Sequence, residues 1–196
     1  MDYQYGVVDD SIYFQPAYYE VEPDGSVDLM KGSGVEKRIM RYDIANDTIE
    51  TVFEYERPKN HEWYTGEIYS KYHWQGIWYD NRNIIVCNPW TSFVYTSIDD
   101  IAPQSIIFEA RKGFYDGAGY IPSTDGDLYF WYYRASEKDN TGEGFYGDTE
   151  YFMVKQGSSE LIKLKMFECY WPLFFFGGYL YYQNEDDELA REKMHD

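Results

Sequence analysis

GGYLYYQN, residues 177–184, is a phrase this chain writes more than once: turn residues, one aliphatic side chain, then aromatic ones. DDSIYFQ (9–15) and DGDLYFW (125–131) are built the same way. Reduced to a triplet, the phrase stands at Ile12-Tyr13-Phe14, Ile77-Trp78-Tyr79, Leu128-Tyr129-Phe130 and Leu180-Tyr181-Tyr182, each after a turn containing Gly or Asp. After each of the first three triplets comes a second recurring unit with the pattern of a hairpin. These units are KRIMRYD-IAND-TIETVF (37–53), SFVYTSI-DDIAPQ-SIIFEA (92–110) and EYFMVK-QGSS-ELIKLK (150–165). Their flanks are rich in β-branched and aromatic residues, and Asn-Asp, Pro or Gly punctuate the turns. After the fourth triplet, LAREKM supplies either one return strand or a short helix.

A triplet strand plus a hairpin, recurring about every 50 residues, predicts small sheets that each expose an apolar face and bury it against a neighbour. The chain is therefore read as one all-β domain over residues 1–196, a propeller-like array of about four small antiparallel sheets. The units span approximately residues 7–66, 67–116, 117–170 and 171–196. An irregular β-sandwich or barrel is the alternative.

Composition agrees with sheets. Of 196 residues, 44% are hydrophobic and 21% aromatic, with 23 Tyr, 12 Phe and 6 Trp, against only 7 Leu and 7 Ala. Aromatic and β-branched side chains fit a pleated, half-buried surface better than a helix. The formal net charge of −18 repels nucleic-acid phosphates and anionic membranes, so direct nucleic-acid binding is not expected. The most apolar window, YWPLFFFGGYLYY (170–182), is too short and too interrupted by Pro172, Gly177 and Gly178 to span a bilayer. No signal peptide is visible in MDYQYGVVDD, and the compartment stays open between cytoplasmic and extracellular with a leader removed. Cys87 and Cys169 match no metal or redox spacing and are compatible with one disulfide or with two buried thiols.

The units that carry Gly177-Gly178-Tyr179-Leu180-Tyr181-Tyr182 with Asn184, and Ile39-Met40-Arg41-Tyr42-Asp43, resemble blades of bacterial β-propellers related to YWTD-type repeats, including those of Firmicutes surface proteins. The YWTD tetrapeptide itself is absent. The resemblance implies binding of a protein or ligand on a propeller face rather than catalysis. Three and a half units make a short ring, and an incomplete ring leaves strand edges through which copies of the chain could pair.

The units differ mainly in the loop after the triplet, 15–36 in the first and 132–149 in the third. Loops on a rigid scaffold are where recognition tends to reside. Tyr18, Tyr19, Phe145 and Tyr146 stand there as aromatics in polar, glycine-rich surroundings, and are the candidate ligand-binding residues. The competing reading has them cover a sheet edge. Trp63 and Trp74 are further candidate anchors.

No catalytic residue is assigned. Asp10, Asp80 and Asp127 lie beside triplets, where they serve either as turn formers or as carboxylates ringing a channel, the arrangement a glycoside hydrolase would need. PDGSVD (23–28), STDGD (123–127) and NEDDE (184–188) offer hard oxygen ligands without the alternation of an EF-hand, and read as turns. His61, His73 and His195 form no zinc motif. No nucleophile elbow or dinucleotide fingerprint is present, so neither a metal nor a cofactor is expected. The expected function is a non-catalytic binding module for a protein or carbohydrate ligand. An acidic inhibitor or nucleic-acid mimic that occupies a basic groove of another protein, and a glycan-binding propeller, are the alternatives.

Overall fold

The computed structural model describes residues 5–18, 21–26, 34–56, 77–80, 82–87, 91–109, 111, 116–135, 147–164, 171–184 and 186–194. Its described residues form strands and turns, with no helix among them. Four small antiparallel sheets follow one another along the chain, and none closes into a barrel. The first contains β1 (Tyr5–Val8) and β2 (Ser11–Phe14). A two-residue ribbon of β3 (Ala17–Tyr18) and β4 (Gly34–Val35) follows, and then β5 (Arg38–Asp43) and β6 (Thr48–Glu54) complete the sheet in the order β1-β2-β5-β6. The second contains β7 (Ile77–Asp80), β8 (Asn83–Cys87), β9 (Ser92–Ser97) and β10 (Gln104–Ile107), in the order β10-β9-β8-β7. The third runs through β11 (Gly117–Ile121), β12 (Leu128–Ala135), β13 (Gly147–Val154) and β14 (Leu161–Lys163) in chain order. The fourth holds β15 (Trp171–Phe176), β16 (Tyr179–Gln183) and β17 (Leu189–Lys193). LAREK is thus a return strand, and all three sequence-predicted hairpins contribute adjacent strands.

The tight turns explain themselves residue by residue. Gly177 and Gly178 both take left-handed backbone, with φ of 59° and 82°. Two consecutive positive φ values are what a two-residue hairpin matched to strand twist requires, and glycine adopts them without steric cost. Asp9 and Arg82 take the same region at 53° and 63° without glycine's freedom. A charge network holds these two turns: Arg82 donates to Asp99 at 2.7–3.0 Å and to Asp9 at 3.0 Å. The Arg82 guanidinium keeps the Asp99 carboxyl below the usual carboxylate range.

One triplet falls elsewhere than its spacing predicts. Ile12, Leu128 and Leu180 begin triplets on the second strand of their sheets, whereas Ile77-Trp78-Tyr79 lies on β7, the edge strand that precedes the turn. The second-strand counterpart is Ile84-Ile85-Val86, because Asp80 pairs with Asn83 across the turn that holds Arg82. That segment is buried on both sides of its sheet, with Ile84, Ile85 and Val86 at 0% exposure. A strand buried on both faces reads as an aliphatic run, not as an aromatic phrase.

The described chain divides into two compact units, residues 1–89 with 94–103 and residues 90–93 with 104–196. In the first unit, Tyr13, Ile39 and Phe53 on one face of the first sheet pack with Ile77, Ile84, Val86 and Val94 of the second. In the second unit, Ile121, Tyr129, Tyr151 and Met153 on one face of the third sheet pack with Phe175, Leu180 and Met194 at the fourth. The other face of the third sheet holds Phe130, which lies 4.9 Å from Phe93 and 5.6 Å from Tyr120, ring centre to ring centre. Also there is Tyr132, stacked 5.1 Å from Phe108. Within each unit the packing is therefore face to face, dominated by rings at the third sheet and by aliphatic side chains at the second.

Burial changes how these phenols ionise. It pushes Tyr79 and Tyr129 well above the ordinary tyrosine value, with a hydrogen bond to Asp125 adding to the effect at Tyr129. Tyr132 is pushed up to about 12, first by burial and then by the Asp116 carboxylate. A phenol whose folded value exceeds its unfolded value, near 10, stabilises the fold fully below pH ~10. That contribution is lost as the pH rises from there through ~12. Titration followed by phenolate absorbance should therefore show an early phase from exposed tyrosines. A late phase should coincide with loss of near-ultraviolet circular dichroism. A single smooth titration near pH 10 with the fold intact would contradict this burial.

Candidate functional site

The sequence-predicted ligand residues are reached only in part. Tyr18 belongs to β3, where its backbone pairs with Gly34. Tyr19, Phe145, Tyr146, Trp63 and Trp74 lie outside the described residues, as do Cys169 and all three histidines.

The acidic stretches are occupied with their own turns. Asp24 accepts from the Ser26 N–H at 2.9 Å, and Asp125 from the Asp127 N–H at 3.1 Å. Asn184 accepts from the Asp186 and Glu188 N–H groups at 3.1 and 2.8 Å. Asp127 accepts from the Gln156 N–H at 2.8 Å, which fits its reading as a turn former. Among the described residues, no three Asp, Glu, His or Cys side chains come together in a metal-binding group. Among the described residues, Asp116 is the buried carboxylate, at 2% exposure. Arg111 donates to both of its oxygens at 2.6 and 3.0 Å, and the Arg111 N–H adds 2.9 Å. The Tyr132 hydroxyl donates to the Glu109 carbonyl at 2.6 Å beside it. A carboxylate so fully engaged ties the chain entering the third sheet rather than waiting for a substrate proton.

The surface with chemistry to spare is the outer face of the fourth sheet. Alternation around the Gly177-Gly178 turn sends Phe175 and Leu180 inward, both at 0% exposure. Phe174, Phe176, Tyr179 and Tyr181 consequently point the other way, and a bulge at Leu173 sets the register of Phe174. Across β17, Leu189, Arg191 and Lys193 pair with Gln183, Tyr181 and Tyr179 and share that outer face. Phe176 is 56% exposed and Leu189 65%. The rings of Phe174 and Tyr181 stack 4.7 Å apart, 11° from parallel. The Arg191 guanidinium sits 4.8 Å over the Tyr179 ring, and its interaction with the Tyr181 hydroxyl raises its already high pKa. The result is a rigid apolar platform carrying fixed positive charge on a strongly acidic chain.

No family model and no curated protein matches this chain. The platform must therefore be read from its own chemistry. The triplet pattern sets Tyr181 level with Tyr13 and Tyr129, and the structure separates them: Leu180 is the core residue here and Tyr181 is half-buried on the outer face. The signal that could have located the platform is strict alternation on both sides of a two-glycine turn, which fixes Phe174, Phe176, Tyr179 and Tyr181 on one side once Leu180 is placed inside.

Proposed function

We propose that this chain is a non-catalytic recognition module. In this reading its small sheets act as blades of a propeller-like array, and the outer face of the fourth sheet receives a protein partner. The observation that carries the proposal is the exposed aromatic platform. Monomeric proteins rarely leave a contiguous apolar patch uncovered without a functional reason, and aromatic residues with Arg are the groups enriched at interface centres.

A protein surface suits the platform better than a sugar. Stacking on a sugar ring needs an open aromatic face, but Tyr179 is covered by Arg191, and Phe174 and Tyr181 are stacked on each other. The Phe176 side chain, 56% exposed, and the cationic Arg191 and Lys193 on the same face favour an apolar partner surface with acidic residues at its rim.

A photo-reactive phenylalanine analogue at position 176 tests the proposal. It should give discrete protein adducts in extracts of the cells that make the chain, while the same analogue at the exposed position of Glu160 gives none. Absence of adducts at 176 would overturn the proposal. So would a glycan-array signal that Phe176→Ser abolishes.

A further inference from the structure

The first sheet has an outer face of complementary character. Register places Tyr5, Val7, Ile12, Phe14, Met40, Tyr42 and Ile49 together on the side away from Tyr13. Tyr5, Val7 and Ile49 are 65%, 60% and 59% exposed. Between Ile12, Phe14, Tyr42 and Ile49 runs a shallow groove that ends at the Asp47 carboxylate, which accepts from the Tyr42 hydroxyl at 2.8 Å. At the other end of the same face stand Glu54 and Arg38, and Arg38 is already engaged by Glu36. One outer face therefore offers an apolar groove with a net acidic rim. The other, on the fourth sheet, offers a ring-edged ridge on which Arg191 and Lys193 stand, with the acids Asp186, Asp187 and Glu188 gathered in the turn at its far end, where Asp187 accepts from the Gln183 amide at 3.2 Å.

We propose that the occupant of the fourth-sheet platform is the outer face of the first sheet of a second copy of this chain, joined head to tail. This inference rests on the reading of that platform as a recognition surface and names its partner. Three features favour it. The seam would repeat the face-to-face apolar packing that joins sheets within each unit. The charges match across unlike faces, Arg191 and Lys193 toward Asp47, whereas two fourth-sheet faces would set cation against cation and two first-sheet faces Asp47 against Asp47. Both faces also carry large apolar groups that are exposed among the described residues, Tyr5, Val7 and Ile49 on one and Phe176 and Leu189 on the other. A contact between two different faces is heterologous and leaves one of each face open for the next copy, so association continues to short chains or rings.

The experiment uses the full chain and two exposed-face variants, Ile49→Asp and Phe176→Asp, in analytical ultracentrifugation at physiological ionic strength. There the repulsion between highly acidic copies is screened beyond about 8 Å. The wild-type chain is expected to gain mass as its concentration rises from micromolar to hundreds of micromolar. Each variant alone should sediment as a single chain, its self-association weakened at least ~10-fold, which is a loss of about 1.4 kcal/mol. Mixed together, the two variants should form a one-to-one dimer and nothing larger, because the mixture retains one intact face of each kind.

Val7→Asp and Leu189→Asp give a second, independent pair at exposed positions, and near-ultraviolet circular dichroism checks that each variant is folded. A wild-type chain that stays single at every concentration overturns the inference. Either variant associating with itself does so as well, since that marks a like-face contact. If the wild type stays single while position 176 still captures a different protein, the recognition reading stands and only its self-partner is lost.

Discussion

Replacing Tyr129 with alanine is expected to remove about 3–5 kcal/mol from the unfolding free energy of the unit that holds it, in the range for aromatic truncation in a packed core. Tyr129 is fully buried and pairs across strands with Ile121 and Met153. Its ring lies 3.8 Å from that of Phe175, 9° from parallel, so truncation opens a void against the fourth sheet and strips Phe175 of its stacking partner. The backbone on the far side cannot easily follow, because the Phe175 N–H is held by the Pro122 carbonyl at 2.8 Å. The hydroxyl contributes separately through its 2.8 Å bond to Asp125. Tyr129→Phe should therefore lose only about 0.5–1.5 kcal/mol, the net value of one hydrogen bond. Tyr181→Ala, at the matching triplet position, should cost under ~1 kcal/mol, as for a half-exposed side chain. Urea unfolding of the three variants is the measurement. Equal losses at 129 and 181 would mean that the triplets do share one environment and that the inward direction assigned to β16 is wrong.

That contrast marks how much of the molecule its sequence discloses. Turn chemistry and strand pairing are local, and they were legible: Gly177-Gly178 folds as a hairpin, and the RIMRYD, SFVYTS and EYFMV segments are strands followed by their return arms. Inward or outward direction is not local. In FFF (174–176) three identical side chains run from 38% to 0% to 56% exposure, and only the pairing of Phe175 with Leu180 decides which one is core. Tyrosine sharpens the ambiguity, because its ring accepts burial and its hydroxyl accepts water, so Tyr13 and Tyr129 go in and Tyr181 stays half out. The same limit hid the platform. A search for aromatics in polar loops leads to Tyr18, Tyr19, Phe145 and Tyr146, whereas the exposed rings of the fourth sheet sit in the most apolar window of the chain. The second sheet was hidden differently: its strand equivalent to the triplets is Ile84-Ile85-Val86, which contains no ring at all.

Gly6→Ala should cost about 1–3 kcal/mol, the usual penalty for forcing an extra methyl into a filled site. Gly6 lies on β1 opposite Tyr13, and the ring of Tyr79 from the second sheet lies directly against its Cα. A Cβ built at Gly6 would fall 2.2 Å from the Tyr79 Cγ and 2.5 Å from both Cδ atoms. Those atoms are the root of the ring and not the end of a flexible chain, so relief requires the whole side chain to swing away. Tyr79 is held in the seam by its packing on the cluster around Tyr13, 6.4 Å between ring centres, so swinging it out gives up buried contact. With Tyr79 first cut to alanine, the slot beside Gly6 is open. The same Gly6→Ala change should then become neutral or stabilising by up to ~1 kcal/mol, because alanine restricts the unfolded chain more than glycine does and suits a strand better. The double-mutant cycle should thus return a coupling of about 1–4 kcal/mol, the cost being abolished or reversed, the signature of two residues competing for one volume. If Gly6→Ala is equally costly with and without the Tyr79 ring, the glycine is required by its backbone and the ring-over-glycine seam between the first two sheets is not what selects it.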